Sequence, residues 1–277
     1  MDLVRVAIVL FLFLFTASAF GADDVSLRCN PDEKVVLAAE DGFFPYTGVY
    51  EEELRGFSLD IVSAAFEAVG CELDLVQMPY SRCLREVQSG RIDGCFNTTD
   101  SSENLQKYMF HKEPLFRGRI LVYGPPSFQG TFTEKEFEKA TFSVVRGYTY
   151  TDAFDNNPRI RKIEVETDLQ TLALVSRGRA DFAVVYEKVA QFQIGNNADK
   201  ISPAPRPVSE LVDFDLFVCF SKADAARSVW LARALDVGLA KIRGNGVYAA
   251  IEATWEEWLN SGVGAGRPAP HWIGGSS

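Results

Sequence analysis

Histidine is scarce in this chain. His111 and His271 are its two imidazoles and the second falls in the C-terminal tail, too few for a His-based triad or a histidine metal cluster. There is no phosphate-binding loop and no dinucleotide fingerprint, so neither cofactor nor metal is expected. Lys and Arg form no cluster, and 28 of them against 38 Asp and Glu leave a formal charge of −10. Nothing offers the basic stripe that nucleic acid or an anionic membrane needs, so no nucleic-acid partner is expected. After the first twenty or so residues no stretch approaches the roughly eighteen apolar residues of a membrane span.

Those first residues have a character of their own. Val6 to Phe15 is an apolar core preceded by Arg5 and followed by Ala17, Ser18, Ala19, Phe20, Gly21 and Ala22. It is too short to span a bilayer comfortably and reads as a cleaved secretory signal over 1–21, cut after Ala19 or Gly21. No Cys stands where a lipid attachment site needs one. The processed protein is thus expected to be soluble and periplasmic, with its charge unchanged because Asp2 and Arg5 leave together. Five cysteines remain, Cys29, Cys71, Cys83, Cys95 and Cys219, without zinc-ribbon or CxxC spacing. In an oxidising compartment an odd number leaves at least one thiol unpaired. Cys29 with Cys71 and Cys83 with Cys95 are the favoured disulfides, since both join neighbouring elements; buried free thiols stay open for either pair.

What is present is an α/β order between Val35 and Phe110. Lys34 to Ala39 is a short apolar run, as a buried parallel strand should be, and it ends in Glu40, Asp41, Gly42 and the aromatic loop Phe43, Phe44, Pro45, Tyr46. Ser58 reads as an N-cap, with Leu59, Ile61, Val62, Ala65, Phe66 and Val69 at helical spacing until Gly70. Glu72 to Val76 reads as a strand, Pro79 to Gly90 as a helix, and Ile92 to Phe96 as a third strand.

These residues resemble the extracytoplasmic solute-binding proteins of the polar amino-acid type (bacterial solute-binding protein family 3) that feed ABC importers. The resemblance rests on Phe44, Pro45 and Tyr46, on Gly56, Phe57 and Asp60, on the SGRIDG stretch around Gly90 and Asp93, and on Asn97, Thr98, Thr99, Phe110, Pro114 and Leu115. A second set follows in Arg146 to Thr149, in Ser176 to Asp181, and in a closing block from Leu231 to Trp258. It implies a type II periplasmic-binding-protein fold, with two α/β lobes that are each a mixed, mostly parallel sheet flanked by helices, joined by two hinge crossovers.

The later residues fit that plan. Gly118 to Tyr123 reads as a strand leaving the first lobe, Thr133 with Glu136 as a capping box, Phe142 to Val145 and Asp181 to Val185 as strands, and Asp168 to Val175 as a helix. Phe214 to Phe220 reads as the returning strand after Pro203 to Pro207. Lobe one is then 25–122 with 214–262, lobe two 123–213, and 263–277 a flexible tail. Leu231, Leu235, Leu239 and Ile242 form one apolar stripe and Val247, Ile251, Trp255 and Trp258 another, both expected in the core.

Ligands of open α/β sheets bind outside the carboxyl ends of the strands. Candidates there are Phe43 and Tyr80 as aromatic walls, and Asn97, Thr98 and Thr99 as polar partners. Gly147, Tyr148 and Thr149 resemble the family's second anion-holding turn at a helix start. Two positions depart from the family. Asn104 stands where its members carry the Arg that grips a ligand carboxylate, and Tyr186, followed by Glu187, stands where they carry the acid that holds the ligand ammonium. Glu40 could meet a cation and Arg82 or Arg146 an anion, with surface ion pairing the plainer reading of both arginines. The expected function is non-enzymatic: a monomeric receptor for a small polar solute, an amino acid or related compound, serving a membrane permease. A ligand-sensing subunit and a dehydratase-like enzyme, with Glu40 or Glu187 as its acid, are the alternatives.

Overall fold

A computed structural model describes residues 29, 33–261 and 268–272. The expected signal segment and most of the expected tail lie outside the described residues. The N-terminal half contains β1 (Val35–Glu40), β2 (Gly42–Phe43), β3 (Thr47–Tyr50), β4 (Glu53–Arg55), α1 (Phe57–Glu67), β5 (Leu73–Met78), α2 (Tyr80–Gln88), β6 (Gly94–Thr98), α3 (Ser102–Lys107) and β7 (Met109–Phe110). The long strand β8 (Phe116–Gly124) leads to α4 (Glu134–Lys139), β9 (Thr141–Val145), α5 (Asp152–Asp155), β10 (Arg161–Val165), α6 (Asp168–Ser176), β11 (Phe182–Tyr186) and α7 (Glu187–Asn196). The longer strand β12 (Arg206–Phe220) returns to α8 (Ala225–Gly244) and α9 (Val247–Asn260).

Nine strands form one mixed sheet in the order β10-β9-β11-β8-β12-β6-β1-β5, with β7 paired to β12. In each half three strands run parallel, β5-β1-β6 and β10-β9-β11, and an antiparallel crossing strand flanks the third. The crossing strands β8 and β12 pair with each other from Phe116 to Gly124, so they carry the sheet from one lobe to the other. β2, β3 and β4 make a separate small sheet. The apolar runs of β1, β6, β9 and β11 are buried because helices cover both faces, as continuous rather than alternating patterns require. The core of the first lobe gathers Leu37, Ile61, Phe66, Phe96, Leu235 and Trp255, and that of the second Phe142, Phe154, Leu172 and Phe182. At Gly238 of α8 a Cβ would sit 2.0 Å from the Ala65 carbonyl, so α8 can lie this close to α1 only without a side chain there.

Several expectations shift. Ser58 is not the N-cap of α1; Gly56 is, at φ 151°, and the Ser58 hydroxyl donates to the Tyr46 carbonyl inside the first turn. β12 begins at Arg206 rather than near Phe214, because it finds a partner in β8 already at the end of the Pro-rich stretch, with Pro207 opposite Tyr123. The tail also docks in part. Trp272 donates its backbone N–H to Asp60 (3.0 Å) and its indole N–H to Glu67 (2.8 Å), giving the buried Asp60 carboxylate a second donor beside Trp255. Both favoured disulfides are present, Cys29–Cys71 and Cys83–Cys95. Cys219 is a buried free thiol whose pKa burial pushes up to about 12, so it is inert. His111 is also structural: buried against β12, its Nε2 accepts from the Val218 N–H at 2.9 Å.

Candidate functional site

The carboxyl ends of both parallel triplets point into one cleft between the lobes. Glu40 ends β1, Tyr80 opens α2 after β5, and Asn97 sits at the end of β6. From the other lobe come Tyr148 and Thr149 after β9, and Tyr186 at the end of β11. Together with Phe43 and Thr99 these residues line a small cavity. Only about 10 Å³ of it can take the centre of a water molecule, which is room for about one water. The lobes are shut, and two hydrogen bonds close them directly: the Tyr148 hydroxyl donates to Glu40 Oε1 at 2.7 Å, and the hydroxyls of Thr99 and Thr149 meet at 2.6 Å.

Aromatic rings form the walls. Phe43 stands nearly perpendicular to Tyr186 (centroids 5.0 Å apart) and to Tyr148 (5.9 Å), and Tyr80 stands perpendicular to Tyr148 (5.2 Å). The Tyr148 ring therefore fills a box whose other sides come from both lobes. Gly147 takes φ +86°, which favours glycine, and a Cβ there would lie 3.7 Å from Ser81 and Tyr80 across the cleft.

The charges in the cleft are of one sign. Glu40 is 4% exposed and Asp168, at the start of α6, 1% exposed, and the Tyr148 hydroxyl lies 3.3 Å from Asp168 Oδ2 as well as on Glu40. One hydroxyl carries one hydrogen, so at these distances Glu40 takes most of it and two carboxyl groups this close favour holding a further proton. The titration behaviour agrees. Burial, and then the charge of Asp168, raise the Glu40 pKa well above the usual carboxylate range, while burial raises Asp168 to about 7. Among the described residues Asp168 Oδ1 and Asn97 Oδ1 are buried acceptors without partners. The cavity lining contains no basic side chain. Such a site can receive N–H donors and positive charge, and has little to hold a carboxylate.

The structure thus brings Glu40, Phe43, Tyr80, Asn97, Thr99, Tyr148, Thr149 and Tyr186 together and leaves the other candidates outside. Arg82 lies 3.8 Å from Glu86, and Arg146 pairs with Glu164 (3.4 Å) and Glu166; both arginines are exposed. Thr98 points behind the cleft, its hydroxyl 3.4 Å from Cys219 Sγ. Asn104 is buried and donates to the Thr99 carbonyl at 2.9 Å, so it shapes the polar turn without lining the cavity. Glu187 is held outward by Arg119 at 2.7 Å and is not a cleft acid. The turn 147–149 does not open a helix: α5 starts at Asp152, capped by Thr151, and the N–H groups of Tyr148 and Tyr150 already donate to Val145 O and Asp155 Oδ2. Asp168 escapes sequence reading because an Asp in the first turn of a helix is ordinary.

Relatives have the same architecture. The chain is 23% identical over 261 residues to the probable amino-acid-binding protein YxeM of Bacillus subtilis (strain 168), covering 92% of this chain and 95% of YxeM. Its fold matches the crystal structure of a histidine kinase sensor domain with similarity to periplasmic binding proteins, with TM-score 0.70 and 18% identity over 80% of this chain and 95% of that one. It also matches the arginine-, lysine-, histidine-binding protein ArtJ from Geobacillus stearothermophilus, with TM-score 0.69 and 20% identity over 80% of this chain and 95% of ArtJ. The model of the bacterial extracellular solute-binding proteins, family 3, matches residues 35–257, which takes in both halves of the sheet and the cleft between them. The chain belongs to family 3 of the bacterial extracellular solute-binding proteins.

Proposed function

We propose that this protein is an exported, monomeric receptor that captures a small polar solute, an amino acid or related compound, between its lobes and closes on it for delivery to an ABC-type importer. The observation that carries this reading is the cleft itself: residues from both lobes meet across it through Tyr148–Glu40 and Thr99–Thr149. A solute that replaces these bonds with better ones of its own shifts the hinge by its differential affinity for the shut state, and a membrane permease can read that shift. Lobe one is assigned to 25–122 and 214–262 and lobe two to 123–213, with β8 and β12 as the hinge strands. The signal reading of 1–21 and the family's extracellular character support a periplasmic location. The eight cavity-lining residues are assigned to the ligand; Arg82, Thr98, Asn104, Arg146 and Gly147 are not direct ligands in this reading.

A buried carboxyl near 7 is also what a general acid needs, so an enzyme on this scaffold is the second reading. A melting screen of the purified protein against amino acids, amines, organic acids and short peptides, with product formation followed, separates the two. A ligand at a hundred times its Kd adds about 2.7 kcal/mol, several degrees at this size. A saturable shift without turnover supports the receptor, and turnover overturns it. No shift from any compound points to a sensing subunit that answers to a protein partner.

A further inference from the structure

We infer that the cleft is built for a primary amine or guanidine that carries no carboxylate, with its N–H donors on Glu40 and Asp168 and its carbon chain among the rings of Phe43, Tyr80 and Tyr186. This rests on the reading of the cleft as a solute site. Three features support it. First, the buried polar atoms are in surplus on the acceptor side: Asn97, 7% exposed and lining the cavity, and Asp168 each leave an oxygen without a donor. An unmatched buried acceptor is costly and is satisfied by a ligand that brings N–H groups.

Second, the charged groups that would clamp a carboxylate face away from the cleft. Arg82 and Arg146 pair outward with glutamates, and the N–H groups of Tyr148 and Tyr150 are already donating. An amino acid would bring its own carboxylate beside Glu40 into a cavity lined by no basic side chain, with Asp168 directly behind Tyr148. Third, Tyr148 occupies the place such a ligand would take. Its ring packs edge-on against Phe43 and Tyr80, and its hydroxyl reaches both carboxyl groups. A cation against the faces of these rings gains further attraction. Opening the lobes withdraws Tyr148 from Glu40, whereas Asp168 lies in the same lobe as Tyr148 and is reached by a ligand that displaces the hydroxyl.

Binding a cation here must also move protons. Burial raises both carboxyl groups in the shut, ligand-free form and so favours a proton held between them, and their neighbours Asp41, Tyr80, Tyr148, Tyr150 and Tyr186 include no base that could take it. An incoming ammonium or guanidinium stabilises both carboxylates, so that proton leaves and the affinity rises from pH 5.5 to pH 8.

Calorimetric titration with two matched pairs tests the inference: agmatine against L-arginine, and cadaverine against L-lysine, which differ only in the carboxylate. At least one amine is expected to bind ten times more tightly than its amino acid and to release protons near pH 7, measured by repeating the titration in buffers of different ionisation heat. Glu40→Gln and Asp168→Asn should each weaken that amine at least tenfold, whereas Tyr148→Phe, which deletes the competing hydroxyl and keeps the ring, should tighten it severalfold. Equal or tighter binding of the amino acids overturns the inference and leaves the receptor reading standing. The same holds if both amines fail while another solute of the melting screen binds. If nothing in the screen binds, both readings fall.

Discussion

Two halves of the sheet follow one plan and hold it by different means. In the first lobe the parallel strands lie in the order β5-β1-β6, in the second β10-β9-β11, so each time the second strand flanks the first and the third takes its other side. An aspartate before the third strand ties it to the first: Asp93 accepts from the Val36 N–H at 2.8 Å and Asp181 from the Thr141 N–H at 2.7 Å. These are the aspartates of the SGRIDG and SRGRAD stretches, so that repeated motif marks topology rather than binding chemistry. Beyond this the halves diverge. The first carries two disulfides, α8 and α9, and an Arg227 pairing with Asp93. The second has no disulfide among the described residues and relies on Phe132, Phe137, Phe142, Phe154 and Phe182, packed ring against ring.

The strongest way to break this comparison is to remove the staples. The disulfides close loops of 42 and 12 residues, for which chain entropy gives about 4 and about 3 kcal/mol. Replacing all four cysteines by Ala should lower the first lobe below the second and split the calorimetric melt into two transitions. A single lowered transition would mean that the lobes unfold as one unit. Phe142→Ala acts on the other side: loss of a fully buried ring should cost about 4 kcal/mol. In the four-cysteine variant it should bring the two transitions back together.

The aspartates sharpen the comparison. Both Asp93→Asn and Asp181→Asn keep an acceptor for the backbone N–H, but only the first strips Arg227 of its bidentate partner. Asp93→Asn should therefore cost about 1–2 kcal/mol in denaturant titrations, and Asp181→Asn less than about 1.

The pH profile probes the cleft instead. Asp168 and Glu40 titrate higher in the shut protein than in the unfolded chain. Above about pH 4 the unfolded chain has lost protons that the folded form keeps, so stability from these groups falls as pH rises, through about 7 for Asp168. The ligand-free protein should melt higher at pH 5 than at pH 8, and Asp168→Asn should flatten that slope. An unchanged slope in the variant would remove Asp168 from the proton-sharing cluster.

Much of this was legible in the residues. Apolar runs broken by polar or aromatic loops fix where parallel strands end, and strand ends are where an α/β sheet meets its ligand; hence Glu40, Asn97 and Tyr186 could be placed in the cleft from sequence. Other features depended on partners distant in the chain. Arg146 looks available until β10 is laid beside β9 and brings Glu164 and Glu166 to it. Asp168 looks like a helix-start residue until Tyr148 reaches across to it. Ser58 and Trp272 are of the same kind, since the Tyr46 carbonyl and the buried Asp60 that claim them lie in other elements.

The central claim is that a solute takes the place of the Tyr148 hydroxyl between Glu40 and Asp168. A crystal structure of the protein with whichever solute raises its melting temperature tests it most directly. The predicted result is ligand nitrogen within hydrogen-bond distance of both carboxylates, with the Tyr148–Glu40 contact broken. Ligand bound elsewhere, with that 2.7 Å contact intact, would contradict the account.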